Sequence, residues 1–192
     1  MSRRRGPVEQ IRDLFAGPGS EDYLGEDVTQ AQHMCQAGAL AESAGAADEL
    51  IAAALLHDVG HFLGQLSGHD LMSGTDNRHS HIGAAWLSQW FGAGVTDPIR
   101  LHVAAKRYLC AVEPAYAAQL SPASAHTLEV QGGPMDQEQV RAFEAEPYFA
   151  EAVSLRRWDD AAKDPGAATP TFEHFRPVLS RLLEAGSVEA RH

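Results

Sequence analysis

Apolar residues recur along most of the chain at spacings of three and four, and strand-like alternation is scarce. That periodicity predicts helices, because positions three and four apart share one face of a 3.6-residue turn. A first helix begins near Pro7 and stops at the Gly17-Pro18-Gly19 break. Asp22 to Asp27 reads as a loop. A helix then carries Thr29 to Ala44, with Gly45 placed to end it. Ala47 to His57 forms another, with Ile51, Ala54 and Leu55 on one stripe and Gly60 closing it. Gly, Ser and Asp crowd the stretch 64–77, a loop, and helix resumes from about His79 to Trp90. Asp97-Pro98 and Ser121-Pro122 each combine an N-cap residue with Pro at the first helical position. They predict a helix running through Leu109 and a second one stopped by Gly132-Gly133. Asp136 and Gln139 have capping-box spacing. Further helices fall over 137–145, 147–162 and 171–185, where Pro177 either kinks the last helix or marks its true start. No repeat or dividing linker is present, so the expected fold is all-α: one helical domain over residues 1–192 with its core between about 22 and 177.

Composition narrows the partners. The 192 residues carry 15 Lys and Arg against 26 Asp and Glu, a formal net charge of -11. Such a field repels polyanions, so nucleic acid and anionic membranes are excluded as expected partners, while a small anion fits if a local basic pocket overrides the global charge. The two cysteines, Cys35 and Cys110, suit a reducing cytoplasm better than a disulfide scaffold. The basic N-terminus is followed by no apolar signal region, and no run of about 18 apolar residues occurs. A soluble cytoplasmic protein is expected.

The candidate chemistry begins at His57-Asp58, at the end of an apolar helix. A buried carboxylate is costly unless something neutralises it, and a metal ion does so. Adjacent helical residues point about 100° apart, so both reach one centre only where the helix ends or distorts. His33 lies on the preceding helix, and His79 and His102 on following ones. The steps from His33 through His57 and His79 to His102 are 24, 22 and 23 residues, the period of one helix plus one loop. Asp159 adds a second carboxylate. Six N and O ligands of this kind suit two first-row metal ions, and a carboxylate such as Asp58 can bridge them. His81 points away from His79 by about 200° and reads as a surface residue. Lys106 lies four residues after His102, His61 four after His57, and Arg156 three before Asp159. Each therefore shares a face with a candidate ligand.

The ordered set His33, His57-Asp58 and Asp159 resembles the HD-domain superfamily, and His79 and His102 are the extra ligands of its dinuclear members. The strings Asp22-Tyr-Leu-Gly-Glu26, His102-Val-Ala-Ala-Lys-Arg-Tyr-Leu109, Thr127-Leu-Glu-Val-Gln-Gly-Gly-Pro-Met-Asp136 and Arg156-Arg-Trp-Asp159 resemble the mixed-valent diiron phosphonate oxygenases, over roughly Asp22 to Pro177. The resemblance implies a small organophosphonate substrate and two iron ions, Fe(II)/Fe(III), with molecular oxygen as co-substrate. It implies oxidative cleavage of the carbon–phosphorus bond of a 1-hydroxy-2-(amino or trimethylammonio)ethylphosphonate, giving glycine or glycine betaine plus phosphate. His33, His57, Asp58 and Asp159 would hold one iron; His79, His102 and bridging Asp58 the other. Lys106, His61, Arg156, Ser124, Thr127 and Gln131 would receive the phosphonate. Tyr23 and Glu26 would form a lid, the glutamate meeting the substrate's cationic nitrogen. Tyr23, Trp158 and Tyr108 are candidate aromatic walls for a quaternary ammonium.

Three other readings use the same residues. An HD-domain phosphohydrolase would share most ligands but would not consume oxygen. An inositol-oxygenase type of cleavage gives no reason for the cluster of Lys106, Arg156 and His61. A non-catalytic HD-like signalling module gives none for so complete a ligand set.

Overall fold

The computed structural model describes residues 5–20, 23, 26–63 and 78–189; Asp22, Leu24, Gly25 and the expected loop at 64–77 lie outside them. The described residues are helical, and no strand is found among them. In chain order the helices are α1 (Pro7–Ala16), a 3-10 turn (Pro18–Ser20), α2 (Gln30–Ser43), α3 (Asp48–Leu56), α4 (Gly60–Leu63), α5 (His79–Leu87), α6 (Ala93–Val112), α7 (Pro114–Ala117), α8 (Pro122–Val130), α9 (Gln137–Glu144), α10 (Phe149–Ala161) and α11 (Phe172–Glu189). None is long and apolar enough to cross a membrane.

Three starts carry a side-chain cap. Thr29 caps α2 through a reciprocal box with Gln32, Asp136 does the same for α9 with Gln139, and Ser121 accepts from Ser124 N at the head of α8. Gly132 and Gly133 end α8 at positive φ, 100° and 69°, a conformation that favours glycine.

One expected helix start is corrected. Asp97-Pro98 does not start a helix: α6 begins a turn earlier, at Ala93, and runs through Pro98 to Val112. Val95 and Thr96 donate to Gly92 O, both at 3.1 Å, so the first turn closes upstream of the proline. Buried Val95 and Ile99 then pull that turn into the core, which outweighs the one backbone bond that Pro98 forgoes. Of the two alternatives for Pro177, the structure has it inside α11 and not at its start.

The core is one main cluster, in which Met34, Leu55, Leu56, Leu87, Ile99, Leu155 and Phe175 are fully buried. A smaller cluster of Leu101, Ala105, Phe143 and Ala152 lies on the other side of α6. Helices α2, α3, α6 and α10 pack against one another around the first cluster, and α5 lies along α6. The candidate ligand positions therefore sit on, or just past the end of, helices already fixed by apolar burial.

Gly60 does not simply close α3. The helix ends at Leu56, a turn covers 57–59, and Gly60 opens α4. A Cβ on Gly60 would collide with the backbone carbonyl of His79 and crowd Gly83 N at 3.0 Å. The glycine lets α4 and α5 touch backbone to backbone, which carries His79 to within reach of Asp58.

Candidate metal centre and anion-binding cleft

The end of α3 is where His57 and Asp58 escape the 100° rule. His57 is the C-cap and Asp58 lies in the following turn, so both side chains enter the same buried space. All six side chains expected to bind metal converge there, and each is buried. His33 Nε2 lies 3.1 Å from His57 Nε2. His79 Nε2 lies 3.2 Å from His102 Nε2. Between the two pairs stands Asp58. Its Oδ2 faces His57 at 3.5 Å and His33 at 3.7 Å, and its Oδ1 faces His79 at 3.3 Å and His102 at 3.5 Å. Asp159 Oδ1 completes the first group, 3.3 Å from His33 and 3.7 Å from His57.

The far sides of the rings set the protonation. His33 Nδ1 donates to Ala162 O at 2.9 Å, His57 Nδ1 to Ala54 O at 2.8 Å, and His102 Nδ1 to Ile99 O at 2.7 Å. A nitrogen against a carbonyl must carry the proton, which turns Nε2 of each ring inward. His33 and His57 therefore bring two Nε2 atoms together at close range, with two carboxylates beside them. A positive charge relieves that arrangement, either a proton on His57 or a metal ion in its place. Burial presses the His57 imidazole toward neutrality, but Asp58 and Asp159 outweigh it and lift its pKa to about 9. Burial lowers His102 to about 4, partly offset by Asp58. Burial also disfavours the charged Asp58, yet His57 and its other imidazole neighbours hold it well below the usual carboxylate range. Asp159 Oδ1 is buried and accepts no hydrogen bond. An orphaned oxygen beside inward-facing imidazole nitrogens and a shared carboxylate is a donor set that fits metal ions of the imidazole- and carboxylate-loving kind. Compact ligand groups form around His33, His57 and Asp58 and around Asp58, His61 and His79.

His61 is the surprise in the second group. It stacks on His79 at 4.1 Å, with Nε2 3.9 Å from Asp58 Oδ1, and burial with the neighbouring His79 lowers its pKa to about 3. His81 is exposed, as expected.

A cleft opens on the Asp58, His79 and His102 side. Lys106, on the His102 face of α6, is buried and donates to Thr127 Oγ1 at 2.9 Å. Burial, then the Arg156 charge, pushes its pKa down to about 7. Thr127 Oγ1 in turn donates to Ser124 O at 3.1 Å. Gln131 also lines the cleft, and its Oε1 is buried without a hydrogen-bond partner. Arg156 borders the cleft too, but most of its guanidinium is committed to carboxylates: Nη1 to Asp159 Oδ2 at 2.7 Å, Nε to Asp160 Oδ2 at 2.9 Å, and Nη2 to Asp160 Oδ1. Nε also reaches Tyr116 OH at 3.1 Å.

Tyr23 and Glu26 form the remaining wall. The Tyr23 ring stacks on His33 at 3.8 Å and 13°, and Glu26 N donates to Tyr23 O at 2.7 Å. Trp158 and Tyr108 are not walls of this cleft: Trp158 packs against the main core, and Tyr108 turns its hydroxyl to Glu144 at 3.0 Å.

Sequence reasoning missed Lys163, Tyr116 and Asp160. Lys163 lines the cleft, donates to Ser124 Oγ at 2.9 Å and lies 3.7 Å from Glu26 Oε1. Lys163 stands four residues after Asp159, but α10 ends at Ala161, so the helical register that singled out Lys106 does not extend to it. Nothing local marks Tyr116, which reaches Arg156 from a different helix.

A family model described as the HD domain matches residues 31–145. A [1-hydroxy-2-(trimethylamino)ethyl]phosphonate dioxygenase (glycine-betaine-forming) of Leisingera caerulea is 44% identical over 177 residues, covering 92% of this chain and 90% of that protein. A hydroxymethylphosphonate dioxygenase of Gimesia maris is 41% identical over 189 residues, covering 96% and 93%. An uncharacterised protein of Acanthamoeba polyphaga mimivirus is 34% identical over 179 residues, covering 92% and 81%.

Proposed function

This chain belongs to the HD-domain family, and on that footing we propose that it is a diiron oxygenase cleaving the carbon–phosphorus bond of a 1-hydroxy-2-(amino or trimethylammonio)ethylphosphonate, with glycine or glycine betaine and phosphate as products. The observation that carries this reading is Asp58, whose two oxygens each face a separate imidazole pair beside a cleft holding a buried lysine. Two phosphonate dioxygenases at 44% and 41% identity support it.

His33, His57, Asp58 and Asp159 would hold one iron, and His79, His102 and Asp58 the other. When bound, a mixed-valent Fe(II)/Fe(III) pair supplies the redox chemistry with molecular oxygen. With His61 as a substrate contact and not a ligand, the second group would have one protein donor fewer, which would leave room for a substrate hydroxyl and phosphonate oxygen. The overall conversion balances without an external reductant: one hydroxyphosphonate and one O2 give one carboxylate and one phosphate, with the carbon–phosphorus bond broken.

The protein's part is binding and orientation. Lys106 and the Thr127 and Ser124 hydroxyls offer a charge and donors to a phosphonate, and Gln131 adds an amide. His61, kept neutral by burial, offers a ring nitrogen in the same wall. Arg156 contributes its charge from behind Asp159. Glu26 offers a carboxylate to a cationic nitrogen, and Tyr23 covers His33. The two free buried cysteines suit a cytoplasmic setting, and the net charge of -11 suits a partner that is not nucleic acid.

The test is phosphate release by iron-loaded protein, with and without oxygen, from the amino and trimethylammonio substrates. Release only in oxygen, with glycine or glycine betaine formed in equal amount, is the expected result. No release from either phosphonate, with oxygen-independent hydrolysis of a phosphate monoester in its place, would instead establish a metal-dependent phosphohydrolase, which uses much the same ligands.

A further inference from the structure

Glu26 presents a carboxylate oxygen that is buried and accepts no hydrogen bond. Its charge is nonetheless answered, because Lys163 Nζ stands 3.7 Å away. The same ammonium donates to Ser124 Oγ at 2.9 Å and lies 5.8 Å from the centre of the Tyr23 ring. Both partners are largely sheltered, with side chains 13% and 21% exposed. Lys163 thus sits between the cleft's anion-binding wall at Ser124 and its acidic wall at Glu26. It occupies the place beside a carboxylate and an aromatic face that a substrate ammonium would seek.

We propose that Lys163 is the specificity-determining residue of this cleft: as the built-in counter-ion of Glu26, it makes a cationic substituent on the hydroxyphosphonate dispensable and competes with one when it is present. This rests on the reading of the cleft as a hydroxyphosphonate site. The physical reason is the desolvation of Glu26. With Lys163 in place, a substrate without a cation leaves no buried charge unpaired. A substrate with an ammonium must take Glu26 from Lys163, whose freed charge then turns to the phosphonate through Ser124. Without Lys163, a substrate that lacks a cation strands the carboxylate, while one with an ammonium pairs with it directly. Stranding a sheltered charge is the costlier outcome.

The experiment measures dissociation constants by calorimetry without oxygen, so that no turnover occurs. The ligands are hydroxymethylphosphonate, which has no cation, and 1-hydroxy-2-(trimethylammonio)ethylphosphonate. The proteins are the iron-loaded native chain and its Lys163→Met, Lys163→Arg and Glu26→Gln forms, with iron content and melting temperature recorded for each. Lys163→Met should shift the affinity ratio about tenfold toward the cationic ligand, and Lys163→Arg should restore the native ratio. Glu26→Gln should shift the ratio the other way, which tests the pairing even if Lys163→Met folds poorly. An equal loss for both ligands in Lys163→Met would make Lys163 a plain phosphonate-binding cation and overturn the proposal. An unchanged ratio would overturn it as well. A native, iron-loaded protein that binds neither phosphonate would instead bring down the hydroxyphosphonate reading, and the role of Lys163 with it.

Discussion

Arg156 holds one oxygen of Asp159 through Nη1 at 2.7 Å and leaves the other, Oδ1, buried and aimed at His33 and His57. Burial works against charge on both groups, but the pair sustains itself: Asp159 and Asp160 keep the guanidinium charged, and Arg156 and His57 hold Asp159 well below the usual carboxylate range. Arg156 therefore orients a candidate ligand, and Asp160 and Tyr116 orient Arg156.

Replacing Arg156 by Met should cost about 3–5 kcal/mol, because removing one partner of a buried pair strands the others. In a chain of this size that corresponds to a fall in melting temperature of roughly 10 °C. Iron content should fall at the same time. Tyr116→Phe removes only a hydroxyl from the far side and should leave iron content near native. Thermal unfolding and metal analysis on both variants check this, and an Arg156→Met protein of native stability would count against the role.

Asp58→Ala should abolish binding of both metal ions, since its two oxygens face the two imidazole groups separately. His33→Ala and His79→Ala should each weaken mainly one. Metal counts per chain after reconstitution decide it, and retention of two ions by Asp58→Ala would contradict a bridging carboxylate.

Gly60→Ala should be severely destabilising, although it adds a single methyl group. The added Cβ meets the His79 backbone, which cannot yield as a side-chain tip can. Overpacking of this kind costs about 1–3 kcal/mol or more, and here it also moves His79 away from Asp58. Melting temperature and metal content should drop together; a native value for either would argue against the close approach.

Lys106 gives the pH dependence. Its pKa is lowered to about 7, so its charge is lost as pH rises through that value. A phosphonate dianion favours the charged form, so binding above pH 7 should take up a proton, and affinity should fall by up to about tenfold per pH unit. Stability should run the other way. Between about 7 and 10.5 the unfolded chain holds a proton that the native one does not, so stability rises with pH across that window. Calorimetry in buffers of different ionisation enthalpy reads the proton uptake, and Lys106→Met should abolish both trends.

The residues of the site were largely legible in the sequence, because metal chemistry uses few residue types and helices repeat them at a readable period. His33, His57, Asp58, His79, His102 and Asp159 could be named from spacing and family likeness, and the helical register also marked Lys106. The all-α fold and the caps at Ser121 and Asp136 were equally local matters.

What only the tertiary structure decided was which groups face each other across the chain. Pro98 reads locally as a helix start, yet burial of the preceding turn overrides it. Trp158 and Tyr108 read as possible walls, yet packing takes them elsewhere. The pairing of Glu26 with Lys163, 137 positions along the chain, and the grip of Tyr116 on Arg156 leave no periodic trace. A sequence fixes the face of a helix on which a side chain lies, through the 3.6-residue turn; which opposing charge it meets depends on how distant helices dock, and that follows from the whole core at once.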